Sequence, residues 1–184
     1  GATINRGGSI VVRNAGAGGV TSFTSSNAPL TLAGGQITVD AKNGGSGASA
    51  KLTSNGHLNM TGGTITVESG TQAQASVTIN GTTTMSAGDI ILKGSHTNPT
   101  ASFQTSLLKI TGGRLTVGES KDSTAQLQMT RWGNSMDVNG GVVSLSGTGG
   151  LYLHRESSTV TVRNGGILRT GADSVLYRLP STTT

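Results

Sequence analysis

The sequence predicts an all-β chain that folds as a right-handed parallel β-helix, a β-solenoid of about seven coils with 25 to 28 residues and three strands in each coil. Three observations lead to this prediction. A glycine-rich phrase recurs at a near-constant step, short runs alternate apolar with polar residues, and no window shows the 3.6-residue apolar period of a helix. We therefore expect residues 1–184 to form a single β-helix domain.

The repeated phrase consists of an apolar residue, a polar residue, two glycines, any residue, and then apolar, polar and apolar residues. Clear copies occupy residues 32–39, 60–67, 85–92 (with Ala87 in place of the first glycine), 110–117 and 138–145, and weaker copies lie around 7–12 and 165–168. The second glycines are Gly8, Gly35, Gly63, Gly88, Gly113, Gly141 and Gly166, at steps of 27, 28, 25, 25, 28 and 25 residues. Three other glycine pairs are out of register, so the apolar phase of the flanking residues is what makes the repeat informative.

Each period holds three short strands. In the second coil they are predicted at 37–39, 50–53 and 58–60, separated by a loop around 42–45 and a turn at Asn55-Gly56. The middle strand recurs at 77–79, 127–129 and 151–153. Three strands wound the same way in every coil give three parallel faces that bury their inner sides against one another.

Alternation along the first strand assigns its apolar residues to the core. Because the glycines precede these strands, they are expected at a sharp corner, where a positive φ is easiest for glycine. Loops after the first strand vary in length, as expected of an edge that tolerates insertion. The predicted inward residues are Ile37, Val39, Ile65, Val67, Ile90, Leu92, Leu115, Val117, Val143 and Leu145.

Composition argues against several function classes. Only 11% of residues are charged and the aromatic residues are one Trp, two Tyr and two Phe, fewer than a globular enzyme normally uses. Cysteine is absent, which excludes disulfides and thiolate metal sites. The net charge of +5 is spread along the chain, so we expect no nucleic-acid partner. No apolar run approaches the ~18 residues of a transmembrane segment, and the strand pattern starts at Ile4, so no signal peptide is expected.

The glycine phrase, once per coil over nearly the whole chain, resembles the β-helical passenger domains of bacterial autotransporters and filamentous-haemagglutinin-like adhesins. It also looks like the β-helical shafts of phage tail spikes and fibres. The resemblance concerns the architecture and its repeat. It implies a secreted or virion-borne rod used for adhesion, surface display or assembly, and it carries over no catalytic residue. The chain departs from typical passenger domains in being short and in lacking a translocating barrel.

Enzymes on this fold place their chemistry on the outer surface, so the carboxylates are the candidate catalytic residues. A glycosidase needs two of them roughly 5 to 10 Å apart. Asp40 and Glu68 follow the first strands of adjacent coils, and Glu119 lies two coils further on. Without a nearby His, Arg or aromatic platform, we expect a solvated loop edge, and we predict no catalytic, cofactor or metal site.

Three other residues are candidates for contact with a ligand or a partner. Trp132 lies at a predicted corner, and Tyr152 and His154 are predicted to point outward from the next middle strand. Exposed aromatic side chains suit sugar stacking or a protein interface, while an aromatic side chain that merely covers a corner is the simpler reading. Two outward ladders rich in Thr resemble ice-binding arrays, but Ile91, Lys109 and Asp137 interrupt them, so we expect ordinary exposed strand residues.

The ends of the pattern support a functional hypothesis. Strand-like residues begin by Ile4 and continue to Leu179, which leaves no room for a capping segment. We therefore predict an extracellular structural or adhesive rod, on a cell or virion surface, whose copies stack end to end into a filament. A fragment of a longer rod explains the same ends equally well. The second function hypothesis is a phage tail fibre or spike segment that binds a surface polysaccharide, and the third is an enzyme acting on polysaccharide.

Overall fold

The computed structural model describes residues 1–95, 101–118, 124–131, 133–155 and 157–178. Every strand pairing within these ranges is parallel. The strands are β1 (Ala2–Asn5), β2 (Ser9–Arg13), β3 (Val20–Ser25), β4 (Leu30–Asp40), β5 (Ser49–Ser54), β6 (Leu58–Glu68), β7 (Gln74–Lys93), β8 (Ala101–Ile110), β9 (Arg114–Val117), β10 (Ala125–Met129), β11 (Asn134–Asn139), β12 (Val142–Leu145), β13 (Gly150–Leu153), β14 (Thr159–Arg163), β15 (Ile167–Thr170) and β16 (Val175–Arg178).

The strands stack into three parallel faces of a β-solenoid, which confirms the predicted all-β fold of about seven coils. Face A contains the strands that follow the glycine corner, from β2 through β9 and β12 to β15. Face B contains the middle strands, from β3 and β5 to β10, β13 and β16. Face C contains the strands that precede the corner, from β1 to β11 and β14. The long strands β4, β6, β7 and β8 bend round corners and contribute to two faces or more.

Aliphatic side chains form continuous columns inside the solenoid. On face A, Val39, Val67, Leu92, Val117 and Leu145 are register partners from coil to coil, and all five are buried. The adjacent column from Ile37 to Val143 is equally buried. Face B supplies Leu52, Val77, Phe103, Leu127 and Leu151 in the same way. All the inward residues predicted from alternation therefore lie in the core.

The core also contains a polar pair that alternation did not predict. Thr83 on face C and Thr105 on face B are both fully buried. The Thr83 hydroxyl donates to Oγ1 of Thr105 at 3.0 Å, and the Thr105 hydroxyl lies 3.1 Å from the Gly81 carbonyl oxygen. Because each hydroxyl has a partner, their burial avoids the penalty of an unsatisfied polar group. The pair ties two faces together across a corner.

Glycine occupies the corner for two reasons. Every copy of the phrase places one glycine in the left-handed region, at the first position for Gly7, Gly34, Gly140 and Gly165 and at the second for Gly63, Gly88 and Gly113. The corners also lie against one another: a Cβ on Gly63 would overlap the Gly35 carbonyl oxygen. Both the backbone conformation and the close approach of the neighbouring coil thus exclude larger residues.

No helix within the described ranges is long and apolar enough to cross a membrane. Side chains of the described residues fill the core, so a ligand has access to the outer faces, the loop edges and the two ends of the coil stack.

Candidate functional site

The outer surface of face B carries the aromatic residue that alternation predicts to point outward. Tyr152 lies between the inward positions Leu151 and Leu153 of β13, and it is half-buried. Its register partners are Gln128 on β10 and Tyr177 on β16. The rings of Tyr152 and Tyr177 are 5.7 Å apart between centroids and are tilted by 50°, within the range of favourable aromatic contacts.

Gly150 provides space for the Tyr152 ring. A Cβ built on Gly150 would lie 2.5 Å from Cε2 and 3.1 Å from Cζ of Tyr152, so the ring edge lies over the glycine two positions earlier in its own strand. The ring therefore lies along the strand, across its surface. Gly150 does not have a positive φ. Glycine is therefore needed at this position for the room that it leaves to the ring, and not for its backbone conformation.

His154 immediately follows β13, and its imidazole is poorly available to a ligand. Its backbone N–H donates to the Met129 carbonyl at 2.9 Å, and Nε2 is buried without a hydrogen-bond partner. Burial, assisted by the positive charge of Arg155, lowers the pKa of His154 below its usual 6.5. The imidazole is therefore neutral at pH 7. The aromatic contact of Tyr152 is with Tyr177, and Trp132 lies outside the described residues.

The two carboxylates considered for glycosidase chemistry are register neighbours on face A, as predicted. Each has a cationic partner: Arg13 Nε donates to Asp40 Oδ2 at 2.8 Å, and Lys42 Nζ lies 3.3 Å from Glu68 Oε1. Asp40 Oδ1 also accepts the Lys42 backbone N–H at 2.9 Å. These contacts describe a charge-paired edge in which Asp40 also stabilises the start of the loop. Glu119 lies outside the described residues.

An open groove of about 650 Å³ lies beside the first coils of face B. Its lining includes Val20, Ser49, Lys51 and Gln74, and no carboxylate or imidazole. The Ser49 hydroxyl is buried without a partner, while Lys51 is exposed. The groove therefore has hydrogen-bonding groups and one cation, but no acid–base pair for catalysis.

Both Thr-rich ladders exist in the predicted register, with the predicted interruptions. On face A, Thr38, Thr66, Ile91, Thr116 and Ser144 are partners in successive coils. On face C, Thr84 leads to Lys109 and Asp137. Asp137 Oδ2 accepts a hydrogen bond of 2.7 Å from Nη2 of Arg163 in the next coil, so an ion pair interrupts this ladder before its last member, Thr161.

Sequence reasoning missed Tyr177, Gly150 and the amides of Gln126 and Gln128 as neighbours of Tyr152. A signal for Tyr177 was present, because it follows Tyr152 by 25 residues, one of the repeat steps. The glycine was overlooked because Gly149-Gly150 is out of register with the corner glycines. Its role is visible only when the tyrosine ring is placed.

The chain matches no protein-family model, no curated protein and no solved structure. The fold is therefore established as a β-solenoid by its own strand register.

Proposed function

We propose that the chain is an extracellular structural or adhesive β-helical rod whose copies stack end to end into a surface filament. The observation that carries the proposal is the state of the two terminal coils. Among the described residues, β1, β2 and β3 each pair on one side only, as do β14, β15 and β16. The first and last described coils thus each present three strand edges that no other described strand pairs with.

The core columns also reach the solvent at these ends. Leu151 is 1% exposed, whereas Leu176, its partner in the next coil, is 61% exposed. Val162 continues a buried face C column in the same way and is also exposed. At ~25 cal/mol per Å², covering such side chains favours association.

The occupant that fits best is a second copy of the chain, because on each of the three faces one core column has an apolar residue at both of its ends. Phe23 begins the column that ends at Leu176, and Ile4 begins the one that ends at Val162. On face A, Ile10 and Leu168 are the corresponding pair. Stacking two copies in the same direction would continue all three parallel faces, a heterologous contact that repeats without closing.

The location outside the cell or on a virion draws its support from the repeated glycine phrase and its resemblance to secreted β-helical rods. The proposal includes no catalytic step and no cofactor, and it treats Asp40 and Glu68 as a charge-paired surface edge. Antibody labelling of intact source cells or virions checks the location, and labelling seen only after permeabilisation would contradict it.

Sedimentation velocity over a wide concentration range, with electron microscopy, tests the stacking. Wild-type protein is expected to form an open-ended series of oligomers and thin rods. Leu176→Lys should reduce the apparent association constant at least tenfold, because it places a charge on the exposed end of a core column. Val11→Lys is the matched control: Val11 is 55% exposed but points sideways from face A in an end coil, so this variant should assemble normally.

A wild-type chain that stays monomeric at all concentrations would rule out stacking. Normal assembly of Leu176→Lys, with an unchanged circular dichroism spectrum, would show that the ends are not the interface.

The second candidate, a phage tail fibre or spike segment that binds a surface glycan, is favoured by the Tyr152–Tyr177 pair on an outer face. It predicts a closed trimer of fixed mass, which the same sedimentation experiment distinguishes from an open series.

A further inference from the structure

The outer surface of face B changes character along the solenoid. In the early coils one outward column consists of Thr24, Thr53 and Thr78, whereas from β8 onward it continues as Gln104, Gln128, Tyr152 and Tyr177. The adjacent outward column brings Gln126 and Gly150 beside them. We call these six residues the amide–tyrosine stripe. It lies on the side of the rod and remains accessible when copies stack end to end.

The stripe contains a preformed aromatic platform. The Tyr152 ring lies over Gly150, and Tyr177 packs against it from the next coil with 5.7 Å between the ring centroids. Tyr152 belongs to a strand whose inward residue Leu151 is buried in the column described above, and its ring is held further by contact with Tyr177. Little side-chain entropy of Tyr152 therefore remains to be lost when a ligand packs on its ring.

Two amides extend the platform. Gln128 Nε2 donates to Gln126 Oε1 at 2.8 Å, which orients both side chains on the coil below Tyr152. This bond uses one donor of Gln128 and engages one acceptor of Gln126. The remaining amide donors and acceptors suit hydroxyl groups, which both donate and accept hydrogen bonds.

The charge of the stripe restricts the ligand further. All six members are neutral Gln, Gly or Tyr residues. A ligand with carboxylate or sulfate groups would therefore lose hydration on this surface without gaining an opposite charge. A ligand with hydroxyl groups and apolar C–H faces, by contrast, finds both amides and rings.

The geometry points to a neutral, linear glycan of equatorially linked pyranose units, and we propose that the amide–tyrosine stripe binds it. Successive coils are about 4.8 Å apart, close to the length of one pyranose unit. A glycan lying parallel to the solenoid axis places successive sugars over Tyr177, Tyr152 and the Gln126–Gln128 pair. The inference adds a ligand class to the adhesive part of the proposed function and is independent of end-to-end stacking.

Isothermal titration calorimetry with cellohexaose, xylohexaose and mannohexaose tests the proposal on the full chain. At least one of these neutral hexaoses should bind saturably, and Tyr152→Ala should weaken that binding at least tenfold. Gly150→Ala is the sharper variant: it keeps both tyrosines but leaves the Tyr152 ring no room over the strand, so a similar loss is expected. Lys109→Ala, an exposed change on face C, is the control and should bind as wild type.

Absence of binding to all three hexaoses would overturn the proposal. So would binding that survives both Tyr152→Ala and Gly150→Ala, since the ligand would then lie elsewhere. Stronger binding of polygalacturonate than of the neutral hexaoses would refute the neutral ligand class. Circular dichroism of each variant verifies folding, and sedimentation of the same samples reports stacking separately, so failure of one proposal leaves the other measurable.

Discussion

At the scale of single residues, glycine acts in two physically separate ways in this solenoid. Gly150 makes room for a side chain, whereas Gly63 combines a φ of +83° with contact against the backbone of the previous coil. Composition alone does not separate these roles, because 30 glycines are spread over the chain.

Gly63→Ala is expected to destabilise the protein by about 2–5 kcal/mol, since a left-handed alanine costs roughly 1–2 kcal/mol and overpacking adds about 1–3 kcal/mol. Gly47→Ala is the matched control. Gly47 has a φ of +77° but no atom within 4 Å of its added Cβ, so only the conformational cost applies. Urea unfolding measures both, and equal losses would show that contact between corners is unimportant.

At the scale of elements, polar side chains on adjacent strands join successive coils. The ion pair between Asp137 on β11 and Arg163 on β14 is one such link, with bonds of 3.0 and 2.7 Å. Immediately beyond it, the side-chain amide of Asn164 donates a hydrogen bond of 2.7 Å to Oδ1 of Asn139. The two pairs are 26 and 25 residues apart in sequence, which matches the coil step.

The Asp137–Arg163 pair should make stability depend on pH at the acid end. The hydrogen bonds from Arg163 lower the pKa of Asp137 below 3.8, so the folded state binds the proton less readily than the unfolded state. The stabilisation is present above pH 3.8 and is lost as the pH falls through the lowered pKa. Melting temperatures measured between pH 6 and pH 2 should decrease less steeply for Asp137→Asn than for wild type.

Arg163→Gln is expected to flatten the same part of the pH profile, because it removes the largest cause of the lowered pKa of Asp137 and leaves only the smaller effect of the Lys109 charge. The double variant should flatten it no further than either single change. If the melting temperature of Asp137→Asn decreases with falling pH as steeply as that of the wild type, other carboxylates account for the acid sensitivity.

At the scale of the whole molecule, the coils form a nearly one-dimensional stack in which each coil contacts its neighbours above and below. Central coils are covered on both sides, and the terminal coils on one. Stability should therefore decrease from the centre towards the ends.

Phe103 and Phe23 test this gradient, since both occupy the same inward column of face B. Phe103→Ala in a central coil should cost about 3–5 kcal/mol in urea unfolding, because Phe103 is fully buried. Phe23→Ala should cost clearly less, because Phe23 is only partly buried in the first coil and that coil can open alone. Equal losses would indicate a globular cooperative unit instead of a stack of coils.

The sequence by itself determined the fold class, the corner glycines and the inward residues. These follow from local properties, namely the two-residue alternation of a strand and the conformational freedom of glycine. Both recur once per coil, so the repeat is recognisable in the sequence. The outward ladders followed too, because register is set by the apolar phase.

Only the tertiary structure decided which outward and polar residues meet. The Tyr152–Tyr177 contact over Gly150, the Gln126–Gln128 bond and the buried Thr83–Thr105 pair all depend on where each variable loop returns the chain and on the rotamers that packing then allows. The alternation rule assigns Thr83 and Thr105 no partner, and it treats Gly150 as an empty position. The physical reason is that periodicity specifies the direction of a side chain, whereas contact between coils depends on the exact length and shape of the segments that connect them.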